Sequence, residues 1–542
     1  MSTNDRVWDL DTLVELLSQG RISRREFMAG GIALGLSLGS LSPIAEAFAS
    51  DEEGLLIKNG GTIVTGVANA VGKFDPHGWS GFTSNIATNH IYQGLVRLNF
   101  STSQIEPCLA HSWERPDALT YIYHLRKNVH FHNGDPFTAD DVVFSLLRSK
   151  KVSWGTYGLS NFQSVKALDK YTVQVKLSHP DWRFKWFFYW PPGAILSKKY
   201  FAKVGETQAV QKPVGTNAFQ LLSSSTDQLT LGKFHGYWEK GLPHVDKVIL
   251  KVLDPSTILA GLKTREIHLS PDVGFNQLTL ASRLTGSKIE ARVGPHIVLT
   301  ALNVGHKPLD DPRVRRAMAE ALDNPAALSA YPHQYYQPSN GAMIHPVFPY
   351  NAFGEMNRVY TRDLNKAKQM LKASSAPKGF RATWTTAATR PQEVSAVLGA
   401  QERLKKIGIQ IDIKQLPDPD VAAALYTRPR PFEIITYNWL HNQPNALDPL
   451  SALMSSAYLA GTNWAGYANH TFDRLVTETI QATSSAVISG KLRQLQRIHI
   501  QDVPYLVHGW DGIRRVSAKN LITPPQTVLA EWDDWFRPAY FQ

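Results

Sequence analysis

Hydrophobic and polar positions alternate with two different periods along this chain, and the change of period marks out its elements. Thr62-Ile63-Val64-Thr65 alternates at period two and predicts a strand, followed by a Gly/Pro/Asp turn. Residues 83–99 place Ile86, His90, Ile91 and Leu95 near helical spacing. "TYIYHL" (120–125) reads as a strand and leads to the turn Asn133-Gly134. Thr138 then caps a helix, with Asp141 three residues on and an apolar run Val142–Leu147 behind it. Residues 165–260 are strand-rich, with "KYTVQVKL" and "KVILKVL" alternating. In 306–323, Asp310 or Asp311 caps a helix, Pro312 opens it, and Val314, Met318 and Leu322 line one face. After residue 360 helix and strand take turns. "NKAKQMLKA", "FRATWTT", the helix 391–407 stopped by Gly408, "IQIDIKQL" and the strand 432–440 follow in order. Such alternation predicts an α/β layer with a largely parallel sheet.

The first 49 residues do not join this pattern. Phe27–Ala45 carries no charge and four glycines, which at about 1 kcal/mol per helical position argue against a membrane anchor. Small-x-small cleavage options follow at Ala45-Glu46-Ala47 and Ala47-Phe48-Ala49. Ser23-Arg24-Arg25-Glu26-Phe27-Met28 resembles the bacterial twin-arginine export signal. The expectation is an exported, periplasmic protein, carried by the twin-arginine translocase and cleaved near residues 47–49. Cys108 is far from the cleavage site, so no lipid anchor is expected.

That cysteine is the sole one, which excludes an intramolecular disulfide and leaves stability to core burial. About 490 remaining residues predict two or more domains. The net charge is +11, and removal of residues 1–49, with four basic and six acidic groups, raises it to +13. Lys and Arg are scattered, and no nucleic-acid-binding signature accompanies them, so no nucleic acid partner is expected. The 14 Trp, 19 Tyr and 23 Phe suit cores and recognition pockets equally.

Enzyme motifs are absent from the sequence: no Gly-x-Ser-x-Gly elbow, phosphate loop, dinucleotide fingerprint or His-Glu-x-x-His. His124, His130 and His132 are the one metal-like group, with His130 and His132 on one face of a strand. They lack a paired carboxylate, which favours structural histidines, and no metal or cofactor is expected. Cys108 in "PCLAHSW" has no flanking base and reads as a buried small hydrophobe. Asp140-Asp141 and Asp310-Asp311 sit at helix starts, where capping accounts for them.

Several longer blocks then occur in a fixed order. "FDPHGW", "IYQGLVRLN", "LRKNVHFHNGDPFTADDVVFS", "YWEKGLPHVDKV", "LNVGHKPLDDPRVRRAMAEALD" and "NWAGYANHTFDRL" together resemble the family 5 extracellular solute-binding proteins. These are the dipeptide-, oligopeptide- and nickel-binding components of ABC importers, and the likeness covers residues 60–542. It implies an α/β periplasmic binding protein of two lobes joined by a hinge of two crossing segments, closing over a ligand cleft. Lobe I would comprise 50–298 with a subdomain at about 88–210, lobe II 299–505, and 506–542 would return to lobe I. The implied partners are a small polar solute and an inner-membrane ABC permease complex; the implied state is a monomer without enzymatic activity. A hydrolase or metalloenzyme on a similar scaffold is the alternative of another class.

The resemblance carries the cleft residues over less fully. Peptide-binding members end a lobe-two strand in Trp-x-x-Asp, whose aspartate meets the peptide amino terminus. Here Trp439 is followed by Asn442, and Asp448-Pro449 matches a downstream Asp-Pro. Losing a charge-assisted bond costs on the order of 2–5 kcal/mol, enough to change substrate class. Asn442 with Asn438 beside Trp439 suits a hydroxylated ligand such as an opine-like sugar conjugate or an oligosaccharide. Alternatively a longer loop displaces Asn442 and Asp448 supplies the charge for a peptide. His77, Trp79 and Phe82, and Tyr467 in "GYAN", complete the residues expected at the cleft by family position.

Overall fold

The computed structural model describes residues 57–542 except 70–71, 79–81, 100–103, 153–157, 323–334, 349–358, 440–444 and 525–534, plus isolated positions before residue 28. The expected export leader, apart from those isolated positions, and Trp79 and Asn442 therefore lie outside the described residues, and so does the side chain of Phe82.

The first strand, β1 (Thr62–Val67), leads to helix α1 (Phe82–Ile91). The helix ends eight residues short of the predicted 99, and a short strand takes Val96–Leu98. Gly94 lies between them against the backbone of Phe188, where a Cβ would stand 1.6 Å from the Phe188 carbonyl oxygen. Strands β2 (Ala110–Glu114) and β3 (Thr120–Leu125), helix α2 (Ala139–Ser149), and strands β4 (Phe162–Asp169) and β5 (Thr172–Leu177) follow. The four strands form an antiparallel sheet in the order β2-β3-β5-β4. Thr138 caps α2 as expected, and Asp141 reaches back to its backbone N–H at 2.9 Å.

The main sheet has eleven strands. Its members continue as β6 (Phe219–Ser224), β7 (Gln228–Lys233), β8 (Lys247–Val252), β9 (Leu269–Ser270), β10 (Ser287–Leu302) and β11 (Gln337–Pro338). Helix α3 (Pro312–Ala321) lies between the last two and is capped by Asp311, which accepts from the Arg313 N–H at 2.8 Å. Then come β12 (Phe380–Ala387), α4 (Pro391–Lys405), β13 (Ile409–Leu416), α5 (Asp418–Tyr426), β14 (Ile434–Trp439), α6 (Asp448–Met454), α7 (His470–Gln481) and β15 (Tyr505–Ala518). The order is β13-β12-β14-β10-β15-β9-β1-β8-β7-β6, with β11 on β15.

The alternating strands after residue 360, β12, β13 and β14, pair in parallel as expected, while the eleven-stranded sheet as a whole is mixed. β1 is parallel to β8 and β9, and β12 is parallel to β13 and β14, but β10 and β15 run antiparallel between these groups. The two long strands are shared. The first half of β10 and the last half of β15 belong with β9, whereas the second half of β10 pairs with β14. Their ladder shifts register between Val293 and His296. There Gly512 faces Val293 so closely that a Cβ would lie 2.3 Å from the Arg292 carbonyl oxygen. Ile63, Leu231 and Val248 of one half-sheet lie in one apolar cluster, and Trp384, Ile411 and Ile434 of the other lie in a second. Another apolar cluster runs from Tyr121 and Val173 of the four-stranded sheet to Leu450 and Trp464. Nearby, Trp182 Nε1 donates to the Thr479 carbonyl on α7 at 2.9 Å, which ties the segment after β5 to the second half of the chain. Among the described residues no helix is long and apolar enough to cross a membrane.

Candidate functional site

In open α/β sheets ligands bind beyond the carboxyl ends of parallel strands, where connections diverge. Both half-sheets turn such ends toward the β10/β15 crossing, and charged side chains gather there. Arg390 follows β12 and caps α4; Asp418 follows β13 and opens α5; Tyr437 and Asn438 end β14. From the other half-sheet come Asp272, just after β9, and Arg514 and Asp511 on β15, with His296 on β10.

These groups form two linked clusters. Arg390 Nε donates to Asp418 Oδ1 at 2.6 Å and its Nη1 to Glu393 Oε1 at 3.1 Å, and its guanidinium lies 4.4 Å above the Tyr437 ring. Tyr437 in turn donates its hydroxyl to Asp418 at 3.2 Å. Arg514 bridges Asp272 at 2.8 Å and Asp511 at 3.2 Å, and packs 4.3 Å above Phe275. Asn438 Nδ2 also donates to Asp511 at 3.2 Å, and His296 Nδ1 lies 3.6 Å from the same carboxylate.

Asp272 is walled in by protein, yet 53% of its side-chain surface meets solvent, as befits a group lining a crevice. Burial raises its pKa, but the Arg514 guanidinium outweighs that and holds the carboxyl below its usual range. Asp511, almost fully enclosed, is pushed up by burial against the pull of Arg514. Burial, with Arg514 adding to it, lowers His296 to about 3, so that imidazole is neutral. Burial opposes the charge on Arg390, but Glu393, Tyr437 and Asp418 keep it firmly protonated. The arrangement can receive a carboxylate on either arginine and a donor group on Asp272 or Asp418. Among the described residues no group of three or more His, Cys, Asp or Glu could hold a metal.

Residues 104–460 match the model of the bacterial extracellular solute-binding proteins, family 5 (middle). The chain belongs to this family. As a family 5 solute-binding protein it is the binding component of an ABC importer, a class that works with an inner-membrane permease complex and is binding rather than catalytic. It is 26% identical over 513 residues to the glutathione-binding protein GsiB of Escherichia coli K12, covering 92% of this chain and 96% of that one. Its fold matches the periplasmic binding protein DppA of Helicobacter pylori in complex with the peptide STSA, with TM-score 0.78, 24% identity and 91% and 99% of the two chains covered. AgaA from A. tumefaciens R10, in complex with agropinic acid, matches with TM-score 0.79, 22% identity and coverage of 89% and 99%.

Of the residues expected by family position, Asn438 lines the crevice. Its neighbour Trp439 is buried, donates Nε1 to Asp448 Oδ2 at 3.1 Å and meets Trp464 edge-on at 5.5 Å. Asp448 is itself fully buried at the start of α6. Tyr467 is buried, with its hydroxyl on Asp502. His77 is fully buried with Nε2 2.9 Å from the Ala194 carbonyl, and burial lowers its pKa to about 4. The histidine group separates: His130 is exposed, whereas His132 is largely enclosed, with Nε2 on the Asn217 carbonyl and Nδ1 accepting from Gly215. Cys108 is buried, as its context predicts. Sequence reasoning missed Arg390, Glu393, Asp418, Asp272, Asp511 and Arg514. A charged residue within three positions of a strand's carboxyl end was the available signal for Arg390, Asp418 and Asp272.

Proposed function

We propose that this solute-binding protein captures a peptide-like, amphoteric solute between its lobes, with a carboxylate on Arg390 or Arg514 and a cationic or hydroxyl group on Asp272 or Asp418. The observation that carries this reading is the pair of arginines and their carboxylates, contributed by both half-sheets to one crevice. Such a ligand touches both lobes and so favours the closed state, since only differential affinity shifts that equilibrium. The proposed division has lobe I at 50–298 and 506–542, lobe II at 299–505 and a subdomain at about 88–210. The register shift inside β10 supports a hinge within the shared strands. The proposal includes export through the twin-arginine translocase with cleavage near 47–49, a periplasmic location, a monomeric state and no nucleic acid partner.

A second reading, an opine-like sugar conjugate or oligosaccharide, is favoured by Asn438. Its Oδ1 is buried without a hydrogen bond, beside the 440–444 segment that carries Asn442. A thermal-shift panel of dipeptides, glutathione, opine-like conjugates and oligosaccharides separates the two. A specific ligand at 100 times its Kd adds about 2.7 kcal/mol of stability. Peptides are expected to raise the melting temperature. A shift by sugar conjugates alone would replace the first reading with the second, and turnover of a bound ligand would overturn both.

A further inference from the structure

Glu393 sits in the first turn of α4, three residues after Arg390, and is 2% exposed. Oε1 accepts from Arg390 Nη1 at 3.1 Å, while Oε2 is buried with no hydrogen bond. Beside it lies a small pocket lined by Val298, Trp384, Val397, Thr436 and His508. The polar neighbours bond among themselves. Trp384 Nε1 donates to Thr436 Oγ1 at 2.8 Å, the Thr436 and Thr300 hydroxyls are 2.7 Å apart, and Thr300 Oγ1 is 2.7 Å from His508 Nε2. A carboxylate with one bare buried oxygen is poorly stabilised as an anion. Moreover, Arg390 already has a carboxylate in Asp418 at 2.6 Å. Glu393 therefore stands where a ligand's carboxylate would otherwise complete the guanidinium fork.

The charged and titratable groups around it come from every packed element. Arg390 at its own helix start, Asp418 on α5, Tyr437 on β14 and Asp511 on β15 act on it, His508 on β15 lines the adjoining pocket, and Arg514 on β15, His296 on β10 and Asp272 after β9 lie around Asp511. Burial pushes the Glu393 carboxyl up to about 7, with Asp511 and Asp418 adding to it and Arg390 opposing. The buried histidines are neutral there, His508 being lowered to about 4 by burial.

We propose that Glu393 is a positioning residue that sets the charge Arg390 offers: ionised, it occupies the guanidinium, and protonated from solvent on Oε2, it yields Arg390 to a carboxylate on the solute. The crevice then takes up a proton as it takes up an anionic group. This deepens the carboxylate reading given above and rests on it. Binding coupled to proton uptake weakens as pH rises, by up to tenfold per unit between the free and bound pKa values.

The test compares the intact protein with E393Q, in which a neutral side chain of the same shape mimics the protonated acid. Calorimetric Kd values for alanylalanine and glutathione, with alanylalanine amide as control, are measured at pH 6 and pH 7.5, where the α-amino groups stay mostly protonated. Melting profiles without ligand are recorded from pH 5 to 9, and the Glu393 carboxyl is titrated by carbon-13 NMR in the wild type. The expected result is a wild-type Kd for the carboxylate probes rising threefold or more between the two pH values. In E393Q it stays constant within twofold, and the amide stays within twofold in both proteins. Parallel pH profiles in the two proteins overturn the inference, as does an NMR midpoint below pH 5.5. If no probe binds at either pH, the carboxylate reading of the crevice fails. Melting profiles that diverge toward pH 8 then still support a titrating Glu393, and superimposed profiles overturn it.

Discussion

Arg390 is held from three directions, by Glu393, by Asp418 and by the face of Tyr437. A lysine in its place keeps the charge but loses the planar fork and the stacking, so the exchange is not conservative. R390K is expected to weaken a carboxylate-bearing ligand by tenfold or more in calorimetry while R390K melts close to the wild type; unchanged affinity would remove Arg390 from the site. The residues that family position singles out have a different character. Trp439 and Asp448 are buried and engaged with one another, His77 with the backbone and Tyr467 with the Asp502 carboxylate. A motif preserves its letters whether they serve packing or contact, and the letters alone cannot separate the two. Asn438 was legible because it shares a strand end with Trp439. Asp272 and Arg514 were not, because 242 positions separate them and only the fold brings them within 2.8 Å.

Most elements could be read from the chain. The 120–125 strand falls where alternation puts it, and Thr138 and Asp311 cap their helices as expected. Their signals are local: a period, a cap, a proline at the first helical position. Parallel or antiparallel pairing is not a local property, and only the helix–strand alternation after residue 360 made it legible, for β12, β13 and β14. β10 and β15 carry no sign of their partner's direction, yet they turn a parallel arrangement into a mixed one. At this scale the sensitive point is Gly512. An alanine there meets the Arg292 carbonyl oxygen at 2.3 Å and the Gly294 nitrogen at 2.4 Å, backbone contacts that cannot be relieved by rotating a side chain. G512A is expected to cost about 1–3 kcal/mol of stability, as overpacking does, and to lower the melting temperature. An alanine variant with wild-type melting and ligand affinity would show that the crossing tolerates spreading.

For the whole molecule the buried histidines dominate the acid response. Burial, the largest cause at each, lowers His77, His132, His345, His499 and His508 to about 4 and His296 to about 3. Below an ordinary histidine pKa of 6.5 the unfolded chain binds protons that these folded rings refuse. Stability therefore falls as pH drops from about 6.5 toward 4, by up to ~1.4 kcal/mol per pH unit for each group. Glu393 acts with the opposite sign. Its folded carboxyl keeps a proton that the unfolded chain releases above about 4.5, so its share of stability is lost as pH rises through about 7. The sum predicts cooperative acid unfolding between pH 6 and 4, read by circular dichroism against pH. A melting temperature that is flat across that range would contradict the burial of these rings.

The two strands shared by both half-sheets also govern when the polypeptide can become a protein. β15 begins at Tyr505, and it supplies a neighbour to β10 along nearly its whole length, to β9 and to β11. Until β15 leaves the ribosome, each half-sheet lacks an interior strand and keeps an open edge where that strand belongs. Synthesis thus cannot deliver one finished lobe ahead of the other. The nascent chain stays incomplete until β15 emerges, then both halves close together. A truncated product never acquires a finished lobe, and proteases would recognise it by its exposed edge.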